Sequence, residues 1–192
     1  RLVDVADANV AVRPRLAWDR IWRVLAVHFA RAGAHANADV AKYAVDSLRQ
    51  LSLKFLCKEE LGQFSFQRSF LRPFERVFAA AAKSDHPNRA AVREYVVECV
   101  DALVLSRAAS IRSGWRSIFA VYAAAANDDD ATVTDLAWGS LDRVVAQYLD
   151  LVALDFVDLV NCVVAFAAAP RARPAIALAA LRRLDECSAA LA

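Results

Sequence analysis

The sequence predicts an all-α chain, a HEAT/armadillo-like α-α superhelix of about four antiparallel helix pairs. Three observations point there. Gly (4) and Pro (5) are scarce among the 192 residues, which leaves little room for a sheet full of tight turns. Apolar residues recur at helical spacing between short polar connections. One apolar register also repeats along the chain.

Eight helices are expected. The first runs from Arg15 to Arg31, with Pro14 suiting its first turn and Leu16, Ile21, Trp22, Leu25 and Phe29 forming a stripe. The loop GAHANAD follows, where Asn37 or Asp39 can cap a second helix from Val40 to Leu56. The connector KEELGQFSF, expected to hold a short turn, leads to a third helix from Phe66 to Ala82. Pro73 lies inside it and predicts a break or kink. A fourth helix covers Ala90 to Ala108, and a fifth Gly114 to Ala126. NDDD places acidic groups at the positive end of a sixth helix that runs to Leu149. The seventh spans Ala153 to Ala168, PRARP is a loop, and the eighth runs from Ala175 to Ala189.

The repeat lies in the even-numbered helices. Aligned on Val40, Val92, Val133 and Ile176, they bring Tyr43, Tyr95, Leu136 and Ala179 together three residues on. Leu48, Val100, Leu141 and Leu184 follow eight residues on. The spacings are 52, 41 and 43 residues, against about 40–47 for HEAT and armadillo repeats. A helix pair cannot bury its apolar face alone, so stacking yields one continuous core and a long surface suited to binding.

Composition narrows the function. Hydrophobic residues make up 58% of the chain, yet charges interrupt each apolar run before the roughly 20 residues that span a bilayer. The net charge of +2 gives no argument for nucleic acid. The chain begins at Arg1 and contains no Met, so 1–192 reads as a single domain and a fragment of a longer protein. No signal peptide is visible, and a cytoplasmic location is expected. Cys57, Cys99, Cys162 and Cys187 are dispersed and read as buried free thiols. His28, His35 and His86 have no partner at ligand or triad spacing. Neither a phosphate-cradling Gly-Lys loop nor HExxH occurs. Asp128, Asp129 and Asp130 read as a helix cap, lacking the spaced ligands of an EF-hand. No catalytic residue, metal site or cofactor is expected, and the segment is not read as an enzyme.

The aromatic residues divide. Trp18 and Trp22 share a face and read as core. Phe64, Phe66, Phe70 and Phe74 fasten the connector to the stack, with a partner pocket as the alternative. Trp115 follows IRSG, where Gly114 allows an unusual backbone angle and Arg112 and Arg116 flank the indole. This is a structural elbow or a partner contact. The clusters Arg13/Arg15/Arg20/Arg23 and Arg171/Arg173/Arg182/Arg183 read as solvated faces, or as contacts to an anionic membrane surface.

Several longer segments carry a resemblance. RLAWDRIWRVLAVHF, DVAKYAVDSLRQLSLKFL, EELGQFSFQRSFLRPFERV, SIRSGWRSIFAVYAAAANDDDATV and DFVDLVNCVVAFA stand in one order from Leu16 to Ala167. They resemble the large Golgi exchange factors for Arf GTPases, the brefeldin-A-inhibited type. The segment matched is the first homology region downstream of the catalytic Sec-seven exchange domain. AAPRARPAIALAALRR is more Ala- and Arg-rich than that family's pattern. The resemblance implies a regulatory, non-catalytic domain of a late-Golgi Arf guanine-nucleotide exchange factor in vesicle-mediated protein transport. It implies binding to the GTP form of Arf and to neighbouring domains of the same chain. Autoinhibition and membrane recruitment at the trans-Golgi network would be controlled in this way. The partner-binding positions expected are Ser47, Arg49 and Gln50 on the second helix, and Arg112, Ser113, Trp115 and Arg116 around the elbow. Rival readings are an architectural helical spacer and a module that binds anionic membrane directly.

Overall fold

The computed structural model describes residues 1–58, 66–171 and 173–189, the side chains of 11 and 15 excepted. The described residues form nine α-helices, α1 (Leu2–Val12), α2 (Arg15–Gly33), α3 (Ala38–Leu56), α4 (Phe66–Ala82), α5 (Arg89–Arg107), α6 (Trp115–Ala125), α7 (Ala131–Tyr148), α8 (Phe156–Ala168) and α9 (Pro174–Ala189). Short 3₁₀ turns follow α5 (Ala108–Ser110) and α7 (Leu149–Asp155). The expected turn within KEELGQFSF lies outside the described residues, apart from Lys58 and Phe66 at its ends.

Sequence and structure agree on eight of these helices to within a few residues. The exception is α1, which the sequence reading does not anticipate. Its residues show too weak a pattern, with Ala6 and Val10 alone buried among those whose side chains are described. Tertiary contacts hold it. It packs on α2 and α3. Lys54 pairs with Asp7 at 2.6 Å, and the Lys58 ammonium donates to the Val10 carbonyl. Arg13 then takes an extended conformation before Pro14, as residues preceding proline do.

The helices pair as α2/α3, α4/α5, α6/α7 and α8/α9, and the pairs stack. One layer is α2–α4–α6–α8 and the other is α3–α5–α7–α9, each helix touching the next in its layer. This is an all-α helical-repeat superhelix. The core between the layers is continuous.

The repeat spacing holds, but the core columns differ from those expected. Val40 and Tyr43 are exposed, and Tyr95, Leu136 and Ala179 are only half-buried. One residue further on, Ala44, Val96, Ala137 and Ala180 are all buried. The column of Leu48, Val100 and Leu141 is buried, with Leu184 half-buried in the last repeat. Leu51, Leu103, Val144 and Cys187 form a third buried column at the same spacing. The facing layer selects which part of a broad apolar stripe turns inward.

Pro73 does not break α4. Proline has no N–H for the carbonyl four residues back, here that of Ser69. The Trp22 indole N–H donates to that carbonyl at 3.0 Å, and Ser117 Oγ donates to the neighbouring Arg68 carbonyl at 3.4 Å. Side chains from both flanking helices thus carry α4 through its proline. Trp22 also meets Phe55 and Phe70 edge-on, in a cluster that holds Trp18. Where α2 ends, a Cβ on Gly33 would lie 2.7 Å from Val77 Cγ2, so glycine permits the close crossing with α4.

Both expected capping sites function. Asn37 Oδ1 accepts from the backbone N–H groups of Asp39 and Val40, and Asp130 Oδ1 accepts from that of Thr132. Asp128 and Asp129 instead face α5. Arg93, 1% exposed, pairs through Nε with Asp128 at 2.7 Å and through Nη2 with Asp129. Cys99, Cys162 and Cys187 are buried, but Cys57 is exposed at the end of α3.

The stretch Ala131–Ala168 runs helically through the 3₁₀ turn, and its most apolar window has a mean hydropathy of 2.1. By length and composition it could cross a membrane, contrary to the expectation that charges rule out each candidate. Here it folds back as α7 and α8. Leu159, Cys162, Val163 and Phe166 face the core, while Leu154 and Val157 are exposed.

Candidate partner-binding surface

The seven expected contact residues fall into two patches on different layers. The first lies on α3. Asp46 organises it, its Oδ1 accepting from Arg49 Nε (3.0 Å) and Nη2 (2.6 Å) and its Oδ2 from Gln50 Nε2 (2.5 Å). The bond to Asp46 raises the Arg49 pKa above its ordinary value. Tyr95 and Cys99 of α5 lie beside this cluster. Burial pushes the Cys99 thiol up to about 12, so it stays protonated and unreactive at neutral pH. Lys42 Nζ sits 5.9 Å from the Tyr95 ring centre, and Tyr43 is exposed next to it. Ser47 does not belong to this surface. It is buried, and its hydroxyl donates to the Tyr43 carbonyl at 2.8 Å.

The second patch is the turn into α6, which α4 positions. Gln67 is 1% exposed. Its Nε2 donates to the Ser110 carbonyl at 2.8 Å, and its Oε1 accepts from the Arg112 N–H at 2.6 Å. Gln67 therefore holds both sides of the turn as a second strand would. Gly114 has ordinary helical angles (φ −65°, ψ −26°), not the unusual ones expected. It suits the close packing there, since a Cβ would lie 2.9 Å from Leu71 Cδ1 and that side chain would have to shift.

Trp115 is fully buried and stacks on Phe119 at 5.6 Å. Of the two readings open to it, the structure supports the elbow, because no partner can reach the indole while this packing holds. Ser113 is half-buried, with its Oγ shielded from solvent. Arg112 is exposed, and its Nη1 donates to the carbonyls of Ala109 and Ile111. Arg116 is exposed and pairs with Asp158 of α8 at 3.1 Å. Asp155 lies close by. Burial and the Asp158 charge raise its pKa, opposed by Arg116 and Arg68.

Of the seven residues, four have solvent-accessible polar groups. Arg49 and Gln50 are accessible on one layer, and Arg112 and Arg116 on the other. Gln67 and Arg93 were missed. Each is a polar residue inside an amphipathic helical pattern, where a surface position is the default assignment. Among the described residues no group of three His, Cys, Asp or Glu could hold a metal ion. Phe70 and Phe74 are buried and Phe66 half-buried, as fasteners of α4, while Phe64 lies outside the described residues.

Fold and surface together define a helical-repeat segment that presents polar patches on two layers. The comparisons with known proteins agree. Residues 54–143 match the family described as Mon2/Sec7/BIG1-like, HDS. The chain is 40% identical over 98% of its length to brefeldin A-inhibited guanine nucleotide-exchange protein 1 of Mus musculus and of Homo sapiens. It is 38% identical over 86% of its length to the protein of the same name from Arabidopsis thaliana, and 35% identical over its full length to protein 3 of that plant. It spans about a tenth of the length of these relatives, 10% in the first. Residues 54–143 thus resemble a Sec7-like HDS region, and nearly the whole chain is similar to a stretch of the brefeldin A-inhibited guanine nucleotide-exchange proteins.

Proposed function

We propose that this region regulates an exchange domain located elsewhere in a longer chain, by binding the GTP form of an Arf GTPase. Binding recruits the protein to the late-Golgi membrane and relieves autoinhibition, so the product of exchange promotes further exchange. The observation that supports this reading is the similarity, over nearly the whole chain, to brefeldin A-inhibited guanine nucleotide-exchange proteins. The region's helical layers supply extended surfaces for such a contact. The contact residues assigned are Arg112 and Arg116 at the start of α6, with Arg49 and Gln50 as a second contact. All four have accessible polar groups, and arginine forms charge-assisted bonds at interfaces.

The test is capture of purified Arf, loaded with GTP or GDP, on the immobilised chain. Capture of the GTP form only, and its loss in the Arg112→Ala/Arg116→Ala variant with an unchanged helical circular dichroism spectrum, is the expected result. Full capture by that folded variant would remove these residues from the interface. Equal capture of both nucleotide forms would overturn the regulatory reading. An architectural spacer would capture neither.

A further inference from the structure

The two layers differ in charge. The helices α2, α4, α6 and α8 contain eight arginines and three carboxylates. The helices α3, α5, α7 and α9 contain nine basic and nine acidic residues. Many basic groups on the second layer are neutralised in ion pairs, such as Arg143 with Asp101 and Arg183 with Asp142, both at 2.7 Å. On the first layer, Arg68, Arg72 and Arg76 repeat every four residues along α4 and are all exposed. Among the described residues none of the three forms a salt bridge. Like charges at this spacing oppose helix formation, so such a row works against the stability of α4.

A groove of about 400 Å³ runs between α2 and α4, with Arg23, Arg72 and Arg76 on its walls and Ser69 and Pro73 among its lining. Arg23 pairs with Asp19 at 2.7 Å yet remains 76% exposed. Val27 also lines this groove. The outward face of α2 exposes Leu16 and Val24 as well, interleaved with Arg20, Arg23 and Arg31. Aliphatic side chains alternating with arginines on a solvent-facing helix favour a lipid–water interface. An acidic protein partner would match the arginines but leave those aliphatics without a role. The guanidinium fork suits phosphate oxygens, which it can grip through two parallel bonds.

We infer that the outer face of α2 and α4 lies against an anionic lipid surface, with lipid phosphates held in the α2–α4 groove by Arg23, Arg72 and Arg76. The contact needs no GTPase, so it stands or falls apart from the function proposed above. The basic clusters suggested by the sequence are not its centre. Arg173 pairs with Asp135 and Arg183 with Asp142 and Glu186, whereas the α4 row has no salt bridge among the described residues.

The test is co-sedimentation of the full chain with vesicles of phosphatidylcholine alone, or mixed with phosphatidylserine, at low and at physiological salt. Binding to the anionic vesicles only, weakened by salt, is expected. Arg72→Gln/Arg76→Gln should bind about thirtyfold more weakly, from about 1 kcal/mol per basic residue near such a surface. Lys42→Gln/Arg107→Gln removes the same charge from the other layer and should bind as the parent does. Val24→Ser/Val27→Ser should also weaken binding. Absence of binding at low salt overturns the inference and leaves the basic face to an acidic protein. Equal losses in the two charge variants overturn the assigned face. Binding of inorganic phosphate in the groove, with vesicle binding insensitive to Val24→Ser/Val27→Ser, would show a soluble-anion site and overturn the lipid contact.

Discussion

Gln67 offers the sharpest test of how α4 fixes the turn into α6. Gln67→Met keeps nearly the same length and volume but removes both hydrogen bonds. The Ser110 carbonyl and Arg112 N–H would then lose their partners at 2.8 and 2.6 Å. A neutral hydrogen bond contributes about 1 kcal/mol net, and an orphaned buried polar group costs about 1–3 kcal/mol. Both backbone groups are only partly buried, so the loss should be about 2–4 kcal/mol. For a domain of this size, that lowers the midpoint of thermal unfolding by about 5–15 °C. Arg112→Ala serves as the control. It removes an exposed side chain but keeps the N–H that Gln67 accepts, and should cost less than about 1 kcal/mol. Urea unfolding with both variants measures the difference. If Gln67→Met lies within about 0.5 kcal/mol of the parent, the turn is held by the burial of Trp115 and Ile111 alone and the argument fails.

The carbonyl left free by Pro73 gives a double-mutant cycle. Trp22→Phe should destabilise by about 2 kcal/mol, through the lost bond to Ser69 and lost volume. In a Pro73→Ala background the helix supplies its own N–H to that carbonyl. The cost of Trp22→Phe should then fall by about 1 kcal/mol in denaturant titrations, and strict additivity would refute the coupling. Arg93→Met should cost about 3–5 kcal/mol, because it strands the Asp128 carboxylate in a nearly closed site, and adding Asp128→Asn should restore part of the loss. Asp129 gives a pH dependence. Burial raises its pKa, but the Arg93 and Arg89 charges outweigh this and hold it below the ordinary carboxylate value. The unfolded chain thus takes up this proton at higher pH than the folded one, so the stabilisation is complete above the ordinary carboxylate range and is lost as the pH falls through and below it. The thermal midpoint should fall over that acid window, and Asp129→Asn should shallow the fall. An unchanged slope would refute the assignment.

Several features were legible in the residues themselves. Helical periodicity, the caps at Asn37 and Asp130 and the paucity of Gly and Pro fix eight helices, because these signals are local. The spacings of 52, 41 and 43 residues identify the stacked pairs, because each repeat must present its apolar side at the same height. The row Arg68, Arg72, Arg76 was equally visible as a four-residue spacing, but nothing local distinguishes a solvated row from one that faces a ligand.

Tertiary packing decided the rest. Tyr43 and Leu48 both fit the apolar stripe of α3, and only the position of α5 leaves the first outside and buries the second. Trp115 carried the same local signals whether it faced a partner or the interior, and the α4 face across from it settles this with Gln67 and Leu71. Pro73 should break a helix considered alone. It does not, because Trp22 reaches across from α2 to satisfy the carbonyl that proline leaves open. The sequence alone determined the elements and their repeat, since those depend on neighbours in the chain. Which face each element buries, and so which polar groups remain for partners, depends on atoms about 47 residues away in the case of Trp22 and Ser69. Only the folded structure brings those atoms together.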